Sequence, residues 1–241
     1  MVLSNSCSKE RVQPKPDFVS KFYTNPSSLT LQVAFEDGAA PFIKYNSLKA
    51  WEVCQQNVSD LLTPRGVSID VPIELAEMTN LGILEQHNYT RENLESFAQR
   101  IQKFNNSTAN KGIVILFLDG YYITDGTPDH SILGINLNGT EVIAVFKPVV
   151  MSASKSNSEQ ALIEQSTIVH EIGHALGLVN NGVPATSAHH DSGHGAHCTN
   201  TDCVMFWQNG GAKIQQFIQP FLLTGSAKLF GEQCLEDIKA K

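Results

Sequence analysis

His170-Glu171-Ile172-Gly173-His174-Ala175-Leu176-Gly177-Leu178 places H-E-x-x-H inside an apolar run. On a helix, positions i and i+4 lie about 40° apart around the axis and one turn along it. His170 and His174 therefore point the same way and can share one metal ion. Glu171 lies about 100° round from His170, within reach of a water on that metal without being a ligand. Leu162, Ile163, Thr167, Ile168, Val169, Ile172, Ala175, Leu176 and Leu178 form the apolar helix that carries the motif. Glu159 and Glu164 sit near its start, where the helix dipole favours negative charge. Gly177 stands where the helix must end and the chain turn. A catalytic zinc needs three protein ligands and one open position, so a third donor must come from elsewhere.

The next segment, Ala188-His189-His190-Asp191-Ser192-Gly193-His194-Gly195-Ala196-His197-Cys198, supplies the candidates. Six of the eight histidines fall between 170 and 197. A buried helix with satisfied core histidines would not account for this second cluster, whereas a shared metal does. His197 is the first choice for the third ligand and His190, with Asp191 beside it, the alternative. His189 and His194 rank behind them, and solvation is the default for His194 between two glycines. Asn180 offers only a neutral amide oxygen and is a poor zinc ligand. A histidine left over could bind a second metal, line a cleft or be solvated.

These residues resemble the metzincin clan of zinc peptidases, whose pattern is H-E-x-x-H-x-x-G-x-x-H followed by a Met-turn. His170, Glu171, His174 and Gly177 match it, and Asn180 stands where the third histidine would be. The tail His197-Cys198-x4-Cys203-Val204-Met205 is similar to that of archaemetzincins, in which the third histidine directly precedes a cysteine. The leishmanolysin branch likewise carries an insertion before its third ligand. The likeness spans His170 to Met205. It implies Zn2+ held by His170, His174 and His197 (or His190), with Met205 packed beneath as the Met-turn. It also implies a metalloendopeptidase acting through a zinc-activated water, with Glu171 as general base. The second cysteine-rich zinc site of archaemetzincins is not expected, because no C-x-x-C follows. A catalytically silent peptide-binding protein, or a zinc-binding surface protein built on the His-rich loop, stays open as an alternative.

The remaining composition sets bounds. A chain of 241 residues with 41% hydrophobic and 17% charged residues can bury one sizeable core, in two lobes. A net charge of −7 and the lack of a Lys/Arg run argue against a nucleic-acid partner. The expected partner is a peptide or protein substrate, met by a monomer. No apolar stretch reaches membrane-spanning length. Met1-Val-Leu-Ser-Asn-Ser-Cys7-Ser-Lys-Glu10 looks like the end of a bacterial lipoprotein signal of the Bacteroidetes type, with Cys7 as the lipidated residue. That reading places the chain in the cell envelope or outside it; a true start at Met1 would make it cytoplasmic. With Cys7 set aside, Cys54, Cys198, Cys203 and Cys234 permit two bridges: Cys198–Cys203 before the Met-turn, leaving Cys54–Cys234. Free buried thiols are the alternative. Five N-x-[ST] sequons, at Asn57, Asn88, Asn105, Asn106 and Asn138, matter only in a eukaryotic secretory pathway.

Along the chain, residues 8–28 read as a polar tether. Leu29–Phe35 alternates as a strand before Asp37-Gly38, residues 47–62 read as a helix, and 66–71 as a short strand. Thr90 caps a helix running to about Phe104. Gly112–Leu118 is a buried central strand, and Asn138-Gly139 closes a hairpin of 132–137 with 141–146. The metal helix starts near Asn157 or Ser158, and residues 212–223 and 226–239 form two further helices. The expected fold is α/β (α+β zincin-like): a twisted mixed sheet backed by helices, the zinc helix, and a smaller, mainly helical C-terminal lobe. Residues 1–28 would be tether, 29–178 the N-terminal lobe and 179–241 the C-terminal lobe. In such enzymes an edge strand binds extended peptide, and the 132–146 hairpin is its candidate.

Overall fold

The computed structural model describes residues 18–241, apart from 107 and 212. The chain begins with α1 (Phe18–Phe22), β1 (Ser28–Phe35), a small hairpin of β2 (Lys44–Tyr45) and β3 (Leu48–Lys49), and α2 (Trp51–Leu62). Next come β4 (Ser68–Asp70), β5 (Thr79–Asn80), β6 (Asn88–Tyr89), α3 (Arg91–Ile101), β7 (Asn110–Leu118), β8 (Tyr121–Thr124) and β9 (Thr127–Asp129). The site-bearing half consists of β10 (Gly134–Asn136), β11 (Val142–Phe146), α4 (Lys147–Ala153) and α5 (Asn157–Ala175), followed by α6 (Ile214–Thr224) and α7 (Glu232–Ala240).

The main sheet runs β10-β11-β7-β1-β4, with β5 pairing the far end of β1. Its pairs are parallel except β10 with β11, so the sheet is mixed and ends in an antiparallel edge. Every residue of β7 after Asn110 is buried. A strand covered on both faces needs apolar side chains on both, which is why Gly112–Leu118 reads as a continuous apolar run. β1 instead alternates.

α5 lies against β10, β11, α2, α4 and α6, and most of its residues are buried. Charge inside that interface is paired: Lys147 at the head of α4 meets Glu164, whose other oxygen accepts the Phe42 N–H at 2.8 Å. The Lys147 Nζ also sits 3.8 Å from the Phe42 ring centroid. The helix stops one residue after His174 plus its cap. Gly177 takes φ +81°, its N–H bonds the His174 carbonyl at 3.0 Å and the Leu178 N–H bonds that of Gly173 at 3.0 Å. A side chain at Gly177 would also strike Val19, with Cβ 2.8 Å from its Cγ1.

That contact corrects the tether. Residues 18–22 form a helix whose Phe18 and Phe22 are buried, and the Tyr23 hydroxyl donates to the Leu176 carbonyl at 3.0 Å. Cys7 lies outside the described residues. The helix expected from 47 begins at Trp51, because residues 44–49 pair as a hairpin. The last helix begins at Glu232 rather than 226. α4, with Pro148 in its first turn, and the three-stranded β6-β8-β9 sheet were not anticipated. Among the described residues no helix is long and apolar enough to cross a membrane.

Candidate functional site

One turn of α5 separates His170 from His174, and their Nε2 atoms stand 3.0 Å apart. His197 arrives from the loop after the helix. Its ring centroid lies 5.3 Å from that of His170 and 4.9 Å from that of His174. One nitrogen from each of the three falls within 4.8 Å of the others, so the group could hold a metal ion. The remote nitrogens are committed: His170 Nδ1 donates to the Val204 carbonyl at 2.7 Å and His197 Nδ1 to the His194 carbonyl at 2.6 Å. A proton on Nδ1 leaves the Nε2 lone pair for a metal. Burial holds His170 below the ordinary imidazole pKa. Burial, reinforced by the neighbouring rings, does the same for His174 and His197. All three rings are thus kept neutral, the ligating form.

Glu171, next to His170 on the helix, reaches the edge of the sheet. Its Oε2 accepts the Asn136 N–H of edge strand β10 at 2.6 Å. Burial pushes the carboxyl up to about 7, against the pull of that N–H. The close approach of α5 to β10 requires Gly134, where a Cβ would stand 2.6 Å from Thr167 Cγ2 and 3.0 Å from the Ala144 carbonyl oxygen. Asn136, Asn138, His174, Asn181 and Ala196 line a cleft of about 240 Å³ at this point. Met205 is buried on the inner side, where a Cβ at Gly173 would lie 2.4 Å from its Sδ. The thioether therefore packs against the helix between the two histidine turns.

No protein-family model and no curated protein matches the chain. Among solved structures, the chain is similar to a zinc-dependent peptidase from Methanocorpusculum labreanum (strain Z), at 12% identity and a TM-score of 0.48, over 86% of this chain and 99% of that one.

The other candidates in the loop have separate partners. His190 Nε2 donates to the Gly195 carbonyl at 2.8 Å. His194 is exposed yet not simply solvated: its ring stacks on Trp207 at 4.1 Å, and its Nδ1 meets Asp191 Oδ2 at 2.8 Å. Asn180 closes the turn after the helix, its Oδ1 accepting the Ala185 N–H at 2.8 Å. Asn180 takes φ +63°, and its amide oxygen is committed to that backbone.

The cysteines depart from the expected bridges. Cys54, Cys198, Cys203 and Cys234 are all free and buried. Cys203 Sγ lies 3.6 Å from Cys234 Sγ, so neither the Cys198–Cys203 nor the Cys54–Cys234 pairing is formed. Instead His189, Cys198 and Cys234 make a second group with donor atoms within 4.8 Å of one another, and Cys203 stands beside it. Hydrogen bonds from the Cys203 and Cys234 thiols hold the Cys198 thiol far below its ordinary pKa. The lack of C-x-x-C hides this group in the sequence. Its third sulfur comes from α7, and its imidazole from upstream of the cysteines.

Proposed function

We propose that the chain is a zinc-dependent peptidase of the metzincin type. The observation that carries this reading is the convergence of His170, His174 and His197, with Glu171 of the same helix tied to the edge strand by the Asn136 N–H. The donor set is three neutral imidazoles, which suits zinc, and leaves a position open for water or substrate. When bound, the metal supplies a Lewis acid that acidifies water and stabilises developing negative charge.

The chain's own residues would do the rest. Asn136 N–H occupies Glu171 Oε2 and leaves Oε1 for proton transfer. Glu171 Oε1 accepts a proton from water as the water oxygen bonds to the scissile carbonyl carbon. The same proton passes to the leaving nitrogen as the C–N bond breaks, yielding a carboxylic acid and an amine. Among the described residues β10 pairs only with β11, so its outer edge, apart from the Asn136 N–H held by Glu171, offers backbone groups to an extended peptide by strand addition. Met205, packed against Gly173, supports the rings from below and fits the role of the Met-turn.

The test is zinc content together with cleavage of a mixed peptide library, for the wild type and for Glu171→Ala, His197→Ala and His190→Ala. Cleavage should vanish in Glu171→Ala with zinc retained, zinc should be lost from the histidine centre in His197→Ala, and His190→Ala should keep both. Zinc in the histidine centre of a wild type that cleaves nothing would favour a silent binding protein. No zinc there would overturn the reading.

A further inference from the structure

His197 is delivered by a loop that hydrophobic packing does not hold. None of residues 190–197 is buried, and two of them are glycines, Gly195 with φ +77°. The loop closes on itself: Asp191 N–H bonds the His197 carbonyl at 2.8 Å, His190 Nε2 the Gly195 carbonyl at 2.8 Å, and Gly193 N–H Asp191 Oδ1 at 3.1 Å. Bonds inside a loop fix its shape but not its place beside α5. A ligand whose place is free must be ordered when the metal binds, and that loss of entropy weakens binding.

Besides His197 itself, one residue of the loop makes a ring contact outside it among the described residues. His194 stacks on Trp207, with ring centroids 4.1 Å apart and planes 6° from parallel. Its Nδ1 meets Asp191 Oδ2 at 2.8 Å, which sets the rotation of the ring. The main chain of the same residue serves the third ligand, since the His194 carbonyl accepts the His197 Nδ1–H at 2.6 Å. Trp207, in turn, is fixed relative to the metal helix. It opens a single 3-10 turn, Trp207–Gly210. Just before that turn, the Val204 carbonyl holds His170 Nδ1, and the Met205 carbonyl holds the N–H of Cys198, the residue after His197. Inside the turn, buried Asn209 donates to the Thr201 and Cys203 carbonyls, both at 3.0 Å. At its end, Gly210 lies so near His170 that a Cβ would stand 3.2 Å from Nε2. The turn that abuts one ligand thus carries the ring against which the loop of another leans.

We propose that His194, held between Asp191 and Trp207, is the positioning residue for His197. The stack on Trp207 keeps the His194 carbonyl where it turns the His197 ring toward His170 and His174. A carbonyl on the remote nitrogen of a ligating histidine fixes its tautomer and orientation; here that carbonyl is itself placed by a side chain. His194 is no ligand, yet the third ligand depends on it. This role rests on the reading that His170, His174 and His197 bind zinc.

The experiment is a cobalt(II) titration of the chelator-treated full chain, read as the visible absorbance that each protein loses when His170→Ala/His174→Ala is added to it. Trp207→Ala and His194→Ala should each bind cobalt at the histidines about 10–100-fold more weakly than the wild type. Trp207→Ala/His194→Ala should bind no more weakly than either single variant, because both remove one contact. Trp207→Phe keeps an aromatic face and should recover most of the affinity. The His194 and Trp207 side chains are partly exposed, so the metal-free variants should melt close to the wild type, which a merely structural role would not allow. Wild-type affinity in both alanine variants would overturn the positioning role and leave the peptidase reading intact. Losses that add in the double variant, or a Trp207→Phe as weak as Trp207→Ala, would overturn the stack as its means. A wild type that takes up no cobalt at the histidines would overturn both the role and the peptidase reading.

Discussion

Replacing Glu171 with Gln should abolish turnover and at the same time stabilise the metal-free fold. The two effects share one cause. The carboxyl is buried against β10, and burial raises its pKa from the ordinary 4.5 to about 7. The folded state thus holds the proton more tightly than the unfolded chain does. Stability conferred by the protonated form is fully present below pH 4.5 and is lost as pH rises through about 7. Above that, keeping the charge costs about 3 kcal/mol, at 1.36 kcal/mol per pKa unit. Gln keeps an oxygen for the Asn136 N–H but cannot ionise. Its NH2 forfeits part of the gain by needing a partner, so the net stabilisation of the apoprotein at pH 8 is about 1–3 kcal/mol, or roughly 3–10 °C in Tm for a chain of this size. At pH 4.5 the gain should shrink toward zero. Losing the proton acceptor should lower kcat by about 10²–10⁴-fold, or about 3–5 kcal/mol, with zinc content unchanged. The assay pairs peptide cleavage with thermal melts of chelator-treated protein at both pH values. A variant retaining a tenth or more of kcat would refute Glu171 as the base. A variant less stable at pH 8 than the wild type would refute the burial argument.

Gly134→Ala should push β10 away from α5, costing about 1–3 kcal/mol in denaturant unfolding and lowering kcat through the displaced Asn136 N–H; equal kcat would mean the contact does not position Glu171. Lys147→Met leaves Glu164 buried without its partner and should cost about 3–5 kcal/mol in urea unfolding, whereas Lys147→Met/Glu164→Leu should recover most of it; a double variant no better than the single would contradict this. The acid limb of kcat/KM reports Glu171, which must be ionised to take a proton. Burial sets its pKa at about 7, and a bound cation favours the carboxylate, so the limb should fall below pH 7 with His170, His174 and His197 still neutral there. An inflection above pH 7 would point to a different group.

Much of this fold is legible locally. β7 is a run of apolar residues that only a doubly covered strand accommodates, Asn138-Gly139 closes the β10–β11 hairpin, and Thr90 caps α3 by accepting the Asn93 N–H. Some misses had local signals as well. Pro148 in the first turn of α4 is a helix-start signal, and Phe18 and Phe22 are spaced for one helix face inside the stretch whose polarity suggests a tether.

The sequence by itself determined that His170 and His174 share a helix face with Glu171 beside them, because i, i+4 periodicity is set by backbone geometry alone. It put His197 first and His190 second as third donor without deciding between them, since a glycine-containing loop has no periodicity to read. Only the tertiary structure turned His190 to the Gly195 carbonyl and His197 to the helix. Likewise only packing brings Cys234 of α7 to Cys203 and Cys198 and sets Asp237 behind His189. Ligand sets drawn from segments far apart in the chain are made by long-range contacts, which short-range sequence patterns do not encode.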